Sequence, residues 1–331
     1  MQKINRDILL EKACSLMENG TVDRVLGWKE GEFCYDVTPF VFKDTETLKK
    51  DFVFNAFCGA NFSKYLIKEC EKSEGKVLVF LKPCDTYSFN QLLTEHRFSR
   101  EKVYAVAIPC DGMADIYKIK EKIDAVSGIE FDGETLEVSS VYGESEKFNL
   151  SDVLLEKCAS CKSKKHVAYD ELIGEDGEVI DSNRFDEVEK LEKMTSEERF
   201  AFWQNELSRC IRCNACRDVC PACTCEKCVF GNPESGVENK AISDSFEEKM
   251  FHIIRAFHVA GRCTDCGECS RVCPEHIPLH LLNRKFIKDI NSFYGEYQAG
   301  ESVGNRAPLV DYTLDDIEPT DAVAKGDGEN A

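Results

Sequence analysis

Two stretches of this chain repeat one cysteine pattern, and that repeat limits what the chain can fold into more than any other feature. The first is Cys210-Ile-Arg-Cys213-Asn-Ala-Cys216-Arg-Asp-Val-Cys220-Pro221. The second is Cys263-Thr-Asp-Cys266-Gly-Glu-Cys269-Ser-Arg-Val-Cys273-Pro274. Both follow C-x2-C-x2-C-x3-C-P, the spacing that holds [4Fe-4S] clusters. Three cysteines on one tight loop reach three irons of a cubane. The fourth, held before a proline, serves the other cluster. The expected ligand sets are therefore Cys210, Cys213, Cys216 and Cys273 for one cluster, and Cys263, Cys266, Cys269 and Cys220 for the second. Structural zinc is the competing use of C-x2-C pairs. Zinc sites use two separated pairs, not three cysteines in step followed by C-P.

Upstream, two elements repeat each other. Val77-Leu-Val-Phe-Leu81 is a continuous apolar run, as in a buried parallel strand, and ends in Lys82-Pro83-Cys84-Asp85 before a helix. Val103 to Ile108 is a second such run, ending in Pro109-Cys110-Asp111 before another helix. In an open parallel sheet, ligands bind beyond the carboxyl ends of the strands, so the two cysteines can face one site. Asp85 and Asp111 are explained as helix N-caps. Lys157-Cys158-Ala-Ser-Cys161 adds one more C-x2-C. Cys84, Cys110, Cys158 and Cys161 together supply the four soft ligands of a third [4Fe-4S] cluster; zinc or unrelated buried thiols are the alternatives.

Three further thiols, Cys223, Cys225 and Cys228, follow the first run, and Cys58 is the fourth ligand they would need for another metal site. The competing reading is buried thiols packing around the second domain. Gly59 and Asn61, before a probable helix start, are the candidate contacts for a bound group, with an ordinary loop glycine as the alternative. A helix is expected over residues 5–18, strands over 22–28 and 33–42, a helix over 45–57, and a hairpin or meander over 129–149. Thr195-Ser-Glu-Glu198 is a capping box that starts the helix leading to Cys210. A further helix is expected from Ser243 to Ala260, its apolar stripe of Phe246, Met250, Ile253, Ile254 and Phe257 facing the core. His252 and His258 flank that stripe and are assigned no ligand role. Arg209, Arg212, Arg217, Arg262 and Arg271 sit beside the cysteines, where positive charge raises the potential of an anionic cluster.

The chain has 331 residues, nineteen of them cysteine, and a net charge of −19. That charge argues against a nucleic-acid partner. So many cysteines in a short secreted domain would imply disulfides, but the N-terminal residues lead into an amphipathic helix rather than an apolar signal core. No apolar run is long enough to span a membrane. Reduced, metal-holding thiols in the cytoplasm are the expectation. From Glu301 onward eight acids face only Arg306 and Lys325, a local charge of −6 that marks a solvated or partner-wrapped tail. The expected division is an α/β domain with parallel strands over 1–163, a linker and helix over 164–209, an all-α dicluster domain over 210–298, and the acidic tail over 299–331.

Residues 200–290 resemble the helical dicluster ferredoxins of succinate dehydrogenase iron–sulfur subunits and heterodisulfide reductase small subunits, on the doubled cysteine run and its long helical spacer. Residues 20–175 resemble the beta subunits of deazaflavin-linked hydrogenases and formate dehydrogenases. Lys82-Pro83-Cys84-Asp85, the strand ending at Cys110, and Lys157-Cys158-Ala-Ser-Cys161 followed by Tyr169-Asp-Glu-Leu-Ile-Gly174 carry that likeness. The order of the whole is similar to the beta subunits of sulfhydrogenases and heterodisulfide-reductase-linked complexes. The resemblance implies one [4Fe-4S] cluster on the cysteines of the α/β half, and in the family often FAD and exchange of electrons with a deazaflavin. This chain has no G-x-G-x-x-G run. The expected function is an iron–sulfur electron-transfer subunit of an anaerobic oxidoreductase complex, docking a catalytic subunit and a second redox subunit. The alternatives are an FAD-containing subunit that itself turns over a deazaflavin or nicotinamide, and a zinc-stapled interaction scaffold.

Overall fold

The computed structural model describes residues 4–180, 183–232, 245–305 and 307–310. The acidic tail from residue 311 lies outside the described residues, as do residues 243–244 of the expected helix.

The first half is built on a five-stranded mixed sheet. After helix α1 (Arg6–Glu18) come β1 (Arg24–Glu30) and β2 (Val37–Phe42), an antiparallel pair joined through a turn in which Gly31 N–H donates to the Asp36 carbonyl. Helix α2 (Thr45–Asp51), capped by Asp44, is shorter than expected, and the chain then turns through the loop that carries Cys58. Helix α3 (Tyr65–Lys72), β3 (Val77–Leu81), α4 (Pro83–Thr94) and β4 (Val103–Ala107) follow. β1, β3 and β4 run parallel, and the sheet order is β2-β1-β3-β4-β8, where β8 is the short Glu171–Leu172. The expected parallel strands are present, and the antiparallel β2 at one edge makes the sheet mixed.

Every residue of β3 is buried, as the uninterrupted apolar run requires of a strand covered on both faces. Leu9 and Leu16 of α1 meet Trp28, Phe42, Phe52, Phe62, Phe80 and Phe89 in one core. Between β4 and β8 the chain forms α5 (Ile116–Lys120), a three-stranded meander of β5 (Val126–Phe131), β6 (Thr135–Ser140) and β7 (Ser145–Asn149), and the one-turn α6 (Glu156–Ala159). The meander closes a second small core around Leu136, Val138 and Ile119.

Described residues beyond Asp186 form helices and loops only: α7 (Asp186–Glu192), α8 (Ser196–Ser208), the short α9 (Ala215–Asp218), α10 (Ser245–Val259), the short α11 (Glu268–Arg271) and α12 (Leu279–Tyr294). The capping box holds: Thr195 Oγ1 accepts from Glu198 N–H, and the Glu198 carboxylate accepts from Thr195 N–H. Helix α10 packs against α8 and α12, but turned over from the expected orientation. Its buried residues are Phe251, His252, Arg255, Ala256 and Val259, while Met250, Ile253 and Phe257 of the apolar stripe are exposed. The inward face is the one that meets the cysteine loops, and it offers them Arg255 and His252 alongside the apolar Phe251 and Val259.

Candidate metal centres

The two cysteine runs fold alike. Arg212 and Asp265 both have φ of 55°, and two residues later Asn214 and Gly267 have φ of 64° and 67°. A left-handed residue on either side of the second cysteine curls each loop around that thiol. Asn and Gly are the residues that adopt this conformation most readily. Each loop then enters one helical turn, α9 or α11, before its Cys-Pro.

Cys210, Cys213, Cys216 and Cys273 line one pocket, walled by Phe251, Ile277 and Leu279. The Cys216 thiol is raised by burial and by the neighbouring Cys273, Cys220 and Cys213. Cys220 joins the other loop: burial and then charge, Cys220 included, push up the Cys263, Cys266 and Cys269 thiols, with Cys266 at about 11 and Cys269 at about 12. Cys273 thus lies beside the first loop's thiols and Cys220 beside the second loop's, the neighbourhoods on which an exchange of fourth cysteines would rest. Four converging thiols with no carboxylate or imidazole in the set fit a [4Fe-4S] cluster, because iron replaces the protons that burial would otherwise keep on the sulfurs. Two side chains add donors to sulfur. His252 Nε2 lies 3.3 Å from Cys210 Sγ, and Asn283 Nδ2 lies 3.7 Å from Cys269 Sγ.

The quartet of the first half also gathers. Cys84 sits in the first turn of α4, Cys110 just beyond β4, and Cys158 in α6, with Cys161 two residues after it ends. Burial raises the Cys84 thiol, with Asp85 and Cys161 adding to it, and raises Cys110 to about 11, with Cys158 adding to it. Lys164 feels all four sulfurs, Cys110, Cys161, Cys158 and Cys84, which hold its ammonium up against the burial that would lower it. Gly112, at φ 131°, lets the chain pass under α6: a Cβ there would lie 2.3 Å from Leu154 Cδ2 and 3.6 Å from Cys158 Cβ. Asp85 is not the N-cap of α4 but sits three residues in, accepting from Lys82 N–H at 3.1 Å and pairing with Lys82 Nζ at 2.9 Å. Asp111 is not a cap either; Asp115 caps α5.

Buried ion pairs join the halves. Lys157, next to Cys158, pairs with Glu268, between Cys266 and Cys269, and also donates to the Gly59 carbonyl at 2.7 Å. Arg271 grips the same carboxylate with two bonds of 2.7 and 2.8 Å. Burial alone would raise the Glu268 carboxyl, but Arg271 and Lys157 hold it far below the usual range. Lys162, beside Cys161, donates to the Thr264 carbonyl and lies 4.3 Å from the Tyr87 ring centroid. Burial lowers its pKa, while Asp265, Cys84 and Cys266 oppose that. Lys162 therefore stands between a thiol of the first-half quartet and a thiol of the second cysteine loop.

Gly59 and Asn61 are placed at this junction. A Cβ on Gly59 would lie 3.0 Å from Leu155 Cδ1 and 3.4 Å from Arg271 Cδ, so the close approach there is to protein. Asn61 N–H donates to Glu268, its Nδ2 donates to Ser88 Oγ at 3.0 Å, and its Oδ1 accepts from Ser63 N–H. Helix α3 begins four residues beyond Asn61. Cys58 is buried in the main core, its Sγ accepting from Asn55 N–H at 3.3 Å. Burial raises it to about 12, and the neighbouring charges are Lys82 and Cys110. That position is on the side of the first-half quartet, away from Cys225, which is exposed beyond the other run. Cys223 instead packs on Cys220, Ala222, Val259 and Cys263. A hydrogen bond shared with Cys223 holds Cys220 low, helped by Arg255 and Lys64, and pushes Cys223 up.

Sequence reasoning missed Lys157, Lys162, Lys164, His252, Arg255, Asn283 and Glu268. The lysines had a signal: four of them, Lys157, Lys162, Lys164 and Lys165, crowd one C-x2-C, the charge complement of an anionic centre.

A family model described as "4Fe-4S dicluster domain" matches residues 206–277. The chain is 23% identical, over 82% of its length and 86% of the relative's, to a protein of Methanocaldococcus jannaschii named F420-dependent formate dehydrogenase subunit beta. It is 24% identical, over 88% of its length and 92% of the relative's, to F420-dependent formate dehydrogenase 1 subunit beta of Methanococcus maripaludis. Among solved structures, a chain of the F420-reducing [NiFe] hydrogenase complex from Methanosarcina barkeri aligns with 62% of this chain and 86% of its own, at 14% identity and a TM-score of 0.37.

Proposed function

We propose that this chain, which belongs to the family of F420-dependent formate dehydrogenase beta subunits and carries a 4Fe-4S dicluster domain, relays electrons through three [4Fe-4S] clusters in a formate dehydrogenase- or hydrogenase-type complex. The observation that carries the reading is the unbroken series of thiol sets. Cys84 of the first-half quartet shares Lys157 and Lys162 with Cys266 of the second cysteine loop. That loop's Cys269 in turn feels Cys216 of the next set. The order is first-half quartet, then Cys220 with Cys263, Cys266 and Cys269, then Cys210, Cys213, Cys216 and Cys273.

A [4Fe-4S] cluster supplies one-electron transfer when bound. The chain's own residues fix where that happens and at what potential. Twelve thiols make up this relay, and Cys58, Cys223, Cys225 and Cys228 are left outside it, Cys58 being a buried member of the main core. Lys164, Lys162 and Lys157 place positive charge beside the inner sets, and Phe251, Ile277 and Leu279 line the outer one. Cys213 is exposed, so the last set opens toward the surface where a partner subunit docks. Among the described residues, no helix is long and apolar enough to cross a membrane. We place the complex in the cytoplasm.

Protein purified without oxygen should contain about twelve irons per chain, four per cluster. Cys84→Ser or Cys161→Ser should remove about four of them and leave the rest. Zinc in place of iron would sink the relay in favour of a stapled scaffold. One FAD per chain would make the first half a flavoenzyme site instead of a plain relay station.

A further inference from the structure

Helix α10 brings one charge to both cysteine loops. Arg255 is 4% exposed, and its Nη2 donates to the Cys216 carbonyl at 2.8 Å. Its Nε–H is buried without a partner, and among the described residues no carboxylate pairs with it. A guanidinium taken out of water without a counter-charge is costly. The anions it does face are sulfurs: Cys220 and Cys269 of one proposed ligand set, Cys216 of the other, and Cys223. Its neighbour on the same face, His252, is committed to Cys210 alone. Among the arginines of this half, Arg271 is occupied by Glu268, Arg262 by Glu95, and Arg284 by Asp265.

We infer that Arg255 is the counter-charge shared by the two clusters of the dicluster domain, and that it raises both their reduction potentials together. This rests on the ligand sets proposed above. A reduced cluster carries one more negative charge than an oxidised one, so a fixed cation beside it favours the reduced form. Because Arg255 touches the backbone of one loop and faces sulfurs of both, it moves the two potentials in the same direction. The sulfurs of the first-half quartet face Lys164, Lys157 and Lys162 instead, and none of them is among those that Arg255 faces.

The test is an anaerobic redox titration of the full chain followed by electron paramagnetic resonance, with iron counted on every sample. Arg255→Gln should lower the midpoints of both dicluster signals and leave the first-half signal where it is. Arg255→Lys should keep both near the parent values. If Arg255→Gln keeps its iron and neither midpoint moves, or all three move equally, the inference is wrong. If Arg255→Gln fails to load the two clusters, Arg255→Lys should restore loading and the neutral, similarly long Arg255→Met should not. Rescue by Met and not by Lys would assign Arg255 to packing and overturn the inference. Parent protein with fewer than about eight irons overturns the ligand sets themselves, a distinct result from unmoved midpoints.

Discussion

The Lys157 ammonium and the Glu268 carboxylate meet out of water, one from each half of the chain. Arg271 and the Asn61 amide complete the shell around Glu268. Removing one member of such a group strands the others, at a cost of about 3 to 5 kcal/mol. Glu268→Gln should therefore lower the guanidinium unfolding midpoint of the loaded protein markedly. It should also loosen the junction, seen as faster proteolysis between the halves. An unchanged midpoint would mean the pair is solvated in solution.

His252 gives a prediction confined to one cluster. Its pKa is lowered to about 3 by burial, Arg255 and Arg212, so the ring is neutral across the working pH range; in the tautomer protonated on Nε2 it donates to Cys210. Hydrogen bonds to cluster sulfurs raise the potential. His252→Leu should lower the midpoint of the Cys210 cluster and leave that of its neighbour. Redox titration distinguishes this from Arg255→Gln, which shifts both.

Gly112 should be needed for the first-half quartet. Any side chain there collides with Leu154 and crowds Cys158, at a φ that L-residues avoid. The backbone strain alone is about 1 to 3 kcal/mol. Gly112→Ala should reduce iron from about twelve toward about eight per chain while the dicluster signals persist. Loss of all iron would instead mean general unfolding.

Cys58 should be dispensable for metal. Cys58→Ala deletes one buried atom, worth about 1 kcal/mol by the usual transfer scale. Iron and sulfide should be unchanged. A loss of about four irons would revive its pairing with Cys223, Cys225 and Cys228.

The elements nearest the metal were the most legible in sequence. Cysteine spacing is a covalent ruler, so the neighbourhood of Cys273 with the first loop's thiols could be read from it directly. The strands β3 and β4 were equally plain, because a fully buried parallel strand is an uninterrupted apolar run. Helix α10 was misjudged for a physical reason. Periodicity reports which residues share a face, not which way that face points, and burial of Met250, Ile253 and Phe257 is the usual outcome in an apolar core. Here the neighbours are anionic loops, so Arg255 and His252 go inside. Gly59 and Asn61 were singled out as contacts for a bound group, and the groups the structure brings to them are Arg271 and Glu268, from far along the chain. No local signal carries that information.

The crossing of Cys220 and Cys273 has a consequence for assembly. In the proposed ligand sets each cluster closes a large ring of polypeptide, one from Cys216 to Cys273 and the other from Cys220 to Cys263. Closing long rings removes freedom from the unfolded chain, as a cross-link does. The two rings overlap almost completely, so whichever cluster is inserted first draws the other loop's cysteines together and lowers the entropic cost of the second. Iron loading of this half is then a cooperative event. A cell short of iron should accumulate full and empty chains rather than half-filled ones.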